Sequence, residues 1–238
     1  LSENWDTLAA RPDPDASILL LNPLWKPYCY DPSIDGDPLR YQKIYGGFAS
    51  WVAKETDAAW LVVGQRMNLY EENCGRSAYD SLVAFATEAH QRVSELEGAP
   101  RTIVSVDVED LYGFPAKQGR CVLATPEECL ADRAELVEGL VADHLGLDSY
   151  PSWALAEGEK WDSGWLTRIA DLRPDLPPVI SGTGFPSRDL FSKQGSCIPL
   201  VESSEQDQLL WLDRVLATAS SRSMDLVVWS WLRDPVDG

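Results

Sequence analysis

Acidic side chains gather where two apolar runs end: Asp107, Glu109 and Asp110 in SVDVEDLY, and Asp148 in LGLDSYPSW. Carboxyls that face one another can divide proton donation and proton acceptance between them. If the run through Thr102–Tyr112 is a strand, its side chains alternate, so Asp107 and Glu109 share a face while Asp110 projects into the loop. Aromatic and hydrogen-bonding residues collect at the ends of the other runs: Trp25 near Asn22, Tyr28 and Tyr30; Gln65, Arg66, Asn68 and Tyr70; Tyr150 and Trp153; Gly182 and Phe185 with Ser181 and Thr183; and Trp229 and Trp231. Rings interleaved with fixed donors and acceptors are what a sugar needs, because its C–H faces stack while its hydroxyls bond. The same rings could instead close the end of a packed core.

The elements that must position these groups alternate. Apolar β-rich runs cover Ile18 to Trp25, Trp60 to Tyr70, Thr102 to Tyr112, Val141 to Tyr150, Pro178 to Phe185 and Leu226 to Leu232, each reading as a strand buried on both sides. Helical patterns fall between them at Ala78 to Leu96, Pro126 to Leu140, Trp161 to Leu172 and Ser204 to Ala219. Thr125 before Pro126, with Glu127 and Glu128 following, and the Ser203-Ser204-Glu205-Gln206 run both read as helix starts. Strand and helix in alternation predict the α/β class with a parallel sheet. The repeat of roughly 41 residues fits a (β/α)₈ TIM barrel, whose functional groups sit at the C-terminal ends of the strands. Only about six βα units are visible, so the expectation is an incomplete barrel lacking two N-terminal units, forming one domain over residues 1–238. An open six-stranded α/β sheet is the alternative.

Composition narrows the function. With 20 Lys and Arg against 38 Asp and Glu, the 238 residues carry a formal charge of −18, which repels phosphate backbones and anionic lipid. Nucleic acid is excluded as the expected partner. No run reaches the roughly 18 apolar residues of a membrane span. Five cysteines without a CxxC and two histidines, His90 and His144, do not make a metal site, so neither a metal nor a cofactor is expected. Cys121 and Cys129 bracket a short loop, and Cys29 and Cys74 lie on neighbouring loops of such a barrel, so two disulfides are one reading and buried free thiols the other. An acidic, Trp-rich, Lys-poor chain suits an extracellular protein handling a neutral ligand. His90 is expected on the solvated face of its helix, and His144 inside a strand. No phosphate-binding glycine loop, nucleophile elbow or dinucleotide fingerprint is present.

Four series, VVGQRMNLY at Val62 to Tyr70, LGLDSYPSW at Leu145 to Trp153, VISGTGFPS at Val179 to Ser187 and VVWSWLRD at Val227 to Asp234, together resemble the retaining glycoside hydrolases of the (β/α)₈ clan. The nearest likeness is to endo-β-1,4-galactanase-like members, and it spans most of Ala59 to Asp234. The resemblance places the acid/base Glu of that family on Arg66, its preceding Asn on Gln65, and its nucleophile Glu on Gly182. A guanidinium cannot act as a general acid at working pH, and glycine has no nucleophile. Retaining hydrolysis needs two carboxyls about 5 to 5.5 Å apart.

The expectation is therefore a secreted, carbohydrate-binding barrel for a poly- or oligosaccharide, with retaining β-glycosidase activity lost. Trp25, Gln65, Asn68, Tyr70, Tyr150, Trp153, Phe185, Trp229 and Trp231 would line the sugar site. Two alternatives stand beside it: an active glycosidase using Asp107, Glu109, Asp110 or Asp148, and a non-enzymatic protein-interaction barrel.

Overall fold

A computed structural model describes residues 18–20, 37–114, 125–152, 162, 164–190 and 201–229. Six strands form one sheet in the order β1 (Ile18–Leu20), β2 (Trp60–Gly64), β3 (Arg101–Asp107), β4 (His144–Ser149), β5 (Pro178–Thr183) and β8 (Val227–Trp229). Pairing is parallel at β1–β2, β2–β3 and β5–β8. This is the α/β class expected from the alternation, with six barrel-type strands. Every residue of β2 and β4 is buried, as is every residue of β3 after Arg101. A strand covered on both faces is mostly apolar without alternation, and the polar residues that these strands do bury, such as Asp107, Asp148 and Ser149, stand at their C-terminal ends.

The described residues fall into two compact units, one extending to Val106 and including Gly139–Leu145, the other taking Asp107–Glu138 and the chain from Gly146 onward. In the first, α1 (Pro38–Glu55) starts where the Asp37 carboxylate accepts from the Leu39 N–H at 3.1 Å and Pro38 fills a position that needs no donor. Tyr45, Ala49 and Val52 form its buried face, and the Tyr45 hydroxyl donates to the Val63 carbonyl at 2.9 Å. A Cβ on Gly46 would stand 2.6 Å from Glu88 Cγ, so glycine permits the close packing of α1 on α3 (Arg76–Ser94). A short α2 (Asn68–Cys74) precedes α3, and Gly75 between them takes φ +80° while donating to the Glu71 carbonyl at 2.8 Å.

In the second unit the chain turns from β3 into α4 (Val108–Leu111), then runs through α5 (Pro126–Arg133) and α6 (Glu135–Glu138). Thr125 and Glu128 form a reciprocal capping box at the start of α5. Helix α7 (Gly164–Leu172) precedes β5, and the antiparallel pair β6 (Arg188–Leu190) and β7 (Val201–Ser204) precedes α8 (Glu205–Ser221). The Ser204 hydroxyl caps α8 by accepting from the Asp207 N–H.

Several element expectations need correction. Strand β2 stops at Gly64, so Asn68 and Tyr70 lie on a helix instead of continuing the strand. Strand β3 stops at Asp107 because its carboxylate caps α4. The helix expected over Pro126–Leu140 is two, parted at Ala134. Neither α1, α2 nor the β6–β7 pair was expected. His90 is not solvated: it is half-buried, with Nδ1 2.7 Å from Thr102 Oγ1. His144 opens β4, buried, with its ring edge-on to Trp60 at 5.0 Å. No described helix is long and apolar enough to cross a membrane.

Candidate functional site

Among the described residues, a buried polar cluster lies at the C-terminal ends of strands in the second unit. Asp107 Oδ1 accepts from the Asp110 N–H at 2.9 Å, which winds residues 108–111 into one helical turn. That turn carries Glu109 inward, where it is 1% exposed. Its Oε1 accepts from the Ser149 hydroxyl at 2.6 Å and its Oε2 from the Tyr150 N–H at 2.9 Å. Burial, and then the neighbouring Asp107 carboxylate, push the Glu109 carboxyl up to about 8, against the pull of the Ser149 and Tyr150 hydrogen bonds. Glu109 therefore holds its proton at neutral pH.

Asp110 does not project into a loop. It is buried, with Oδ2 2.8 Å from Arg133 Nη2, and Arg133 Nη1 also donates to the Asp110 carbonyl at 2.6 Å. The strand-alternation argument failed here because the cap by Asp107 replaces period two with helical geometry.

On the adjacent strands, buried Asp148 accepts from the Ser181 hydroxyl at 2.7 Å. A Cβ added to Gly182 would sit 2.9 Å from Asp148 Oδ1 and 3.0 Å from the Tyr150 hydroxyl oxygen. Those two side chains occupy the space in which any residue-182 side chain would begin. Next in the strand, Thr183 Oγ1 donates to the Ser149 carbonyl at 2.7 Å and accepts from Trp211 Nε1 at 3.0 Å, tying β4, β5 and α8 together. Phe185 is buried, and its carbonyl accepts from Gln208 Nε2 at 2.7 Å. Trp229 is half-buried on β8, in register with Thr183. Ser149 and Trp211 were not singled out in the sequence; the signal for Ser149 is a hydroxyl inside an otherwise apolar run.

In the first unit, Arg66 follows β2 with φ +48°, a left-handed conformation uncommon for a side-chain-bearing residue. Two hydrogen bonds hold it there: its N–H donates to Ser105 Oγ at 2.9 Å and the Met67 N–H donates to the Ser105 carbonyl at 2.9 Å. Strain of this kind, costing about 1–2 kcal/mol, gathers at functional sites. Gln65 and Tyr70 are half-buried beside it, whereas Asn68 is wholly buried. Trp25, Trp153 and Trp231, with Asn22, Tyr28 and Tyr30, lie outside the described residues. Cys74 and Cys129 are disulfide-bonded, while cysteines 29, 121 and 197 also lie outside them. Among the described residues no cluster of His, Cys, Asp and Glu could hold a metal ion.

The fold is shared with glycoside hydrolases. A structure of fungal β-1,4-galactanases superposes with a TM-score of 0.50 at 15% identity, over 91% of this chain and 63% of that one. The GH53 catalytic domain of Ignisphaera aggregans gives 0.53 at 12% identity, over 85% and 59%. A Bacteroides uniformis β-glucuronidase gives 0.50 at 12% identity, over 85% and 22%. At these identities the likeness shows the TIM-barrel fold, and this chain spans about three-fifths of the length of the first two structures. No protein-family model and no curated protein sequence matches the chain.

Proposed function

We propose that the protein is a carbohydrate-binding barrel of glycoside-hydrolase type that has given up retaining β-glycosidase chemistry. The observation that carries this reading is at the end of β5. The residue that the family resemblance aligns with the nucleophile is Gly182, and Asp148 and Tyr150 fill the space its side chain would need. The aligned acid/base position is Arg66, whose guanidinium keeps its proton at any working pH. The ligand class is a β-linked poly- or oligosaccharide, with the half-buried rings of Tyr150 and Trp229 in the second unit as its stacking surfaces. Oxidised Cys74 and Cys129 support an extracellular location.

A second reading, hydrolysis by displaced carboxyls, draws on the protonated Glu109, which is the state a general acid needs. Its burial and the occupation of both its oxygens stand against it, as does the burial of Asp148. Calorimetry with galactan, glucan and mannan oligosaccharides, alongside a reducing-end assay, separates the two. Binding without turnover is expected. Turnover that disappears in Asp148→Asn or Glu109→Gln would overturn the first reading.

A further inference from the structure

Three side chains of the first unit form one hydrogen-bonded chain: His90 on α3, Thr102 near the start of β3, and Asp143 in the position before β4. Thr102 is wholly buried, His90 half-buried and Asp143 exposed. Asp143 Oδ2 accepts from the Thr102 N–H at 2.8 Å and lies 2.8 Å from Thr102 Oγ1. That hydroxyl oxygen also accepts from the Asp143 N–H at 3.1 Å, and it stands 2.7 Å from His90 Nδ1.

A threonine hydroxyl has one proton to give, and here two neighbours compete for it. A carboxylate only accepts, so the Oδ2–Oγ1 contact needs the threonine proton between the two oxygens. Without it, lone pair would face lone pair. An imidazole nitrogen can serve in either sense, and a hydrogen bond to an ionised acceptor is roughly twice as strong as one between neutral groups. The proton therefore goes to Asp143, and Oγ1 is left to accept from His90. That makes Nδ1 the protonated nitrogen of the neutral ring, with the lone pair on Nε2. Among the described residues Nε2 has no hydrogen-bond partner, and it is not enclosed, so it meets water.

We propose that Asp143 is a positioning residue for His90: through the Thr102 hydroxyl it fixes the ring as the Nδ1–H tautomer and presents Nε2 to solvent as a hydrogen-bond acceptor. The relay reverses when its carboxylate is removed. The threonine proton is then free to turn to Nδ1, and the ring's own proton moves to Nε2. A water-facing acceptor becomes a water-facing donor.

Nitrogen-15 NMR of the full chain, at a pH where its imidazoles are neutral, reads which ring nitrogen carries the proton. The chain has two histidines, so the ring signal lost in His90→Gln assigns this one. In the unaltered protein the Nδ1–H form should exceed the Nε2–H form by about tenfold or more. Asp143→Ala, at an exposed position, should lower that ratio by about tenfold or more. Thr102→Val should lower it as far with Asp143 still in place, because the relay runs through the hydroxyl; circular dichroism checks that both variants fold. A ring protonated on Nε2 in the unaltered protein overturns the proposal, and that measurement needs no variant. So does an unchanged ratio in folded Asp143→Ala, and so does one in folded Thr102→Val, which would mean that the carboxylate acts on the ring through space.

Discussion

Replacing Glu109 with Gln should make the protein's stability nearly independent of pH in the range where the unaltered chain loses it. The side chain is buried, and its carboxyl titrates at about 8 in the folded state against an ordinary value of 4.5. Below pH 4.5 the group is protonated in both folded and unfolded chains, so its contribution to stability is fully present. Between 4.5 and about 8 the unfolded chain ionises and the folded chain does not, so the unfolded state binds fewer protons and unfolding becomes easier as pH rises. One pH unit within that window is worth a little over 1 kcal/mol, so the loss from pH 5.5 to 7.5 is roughly 3 kcal/mol, of which coupling to Asp107 is part. Glutamine keeps both hydrogen bonds: its oxygen can accept from the Tyr150 N–H, and its amide can donate to the Ser149 oxygen, which is able to accept. Urea unfolding of both proteins at several pH values reads the effect. The two should be about equally stable near pH 4.5, with the variant ahead by a growing margin toward pH 8. A stability difference that does not change with pH would refute the assignment of Glu109 as a buried, protonated acid.

Gly182→Ala should destabilise by about 1–3 kcal/mol in chemical unfolding, because the new methyl must displace Asp148 or Tyr150; a neutral result would show that those side chains yield freely. For the same reason Gly182→Glu with Arg66→Glu should not restore hydrolysis unless Asp148 and Tyr150 move, which a reducing-end assay on the double variant checks. Arg66→Val should be about 1–2 kcal/mol less stable than Arg66→Gly, since only the left-handed backbone at residue 66 distinguishes the two in this way. Arg133→Met should cost about 3–5 kcal/mol by leaving the Asp110 carboxylate buried without its cation, and much of that loss should return in Arg133→Met with Asp110→Asn, measured by thermal unfolding.

The sequence alone determined the α/β alternation, the positions of six strands and the start of two helices. Those signals are local: a strand buried on both faces is mostly apolar along its length, and the Thr125–Glu128 and Ser204–Asp207 caps span three residues. Strand ends were misjudged where a neighbouring element intervened, as when Asp107 wound the next residues into a helix that turned Glu109 inward and set Asp110 against Arg133. Tertiary structure alone decided the site's connections. Glu109 meets Ser149 across 40 positions and Ser181 meets Asp148 across 33. No periodicity of 2 or 3.6 residues encodes contacts at such separations. They follow from which strand ends the fold brings side by side, and so does the filling of Gly182's missing side-chain space by Asp148 and Tyr150.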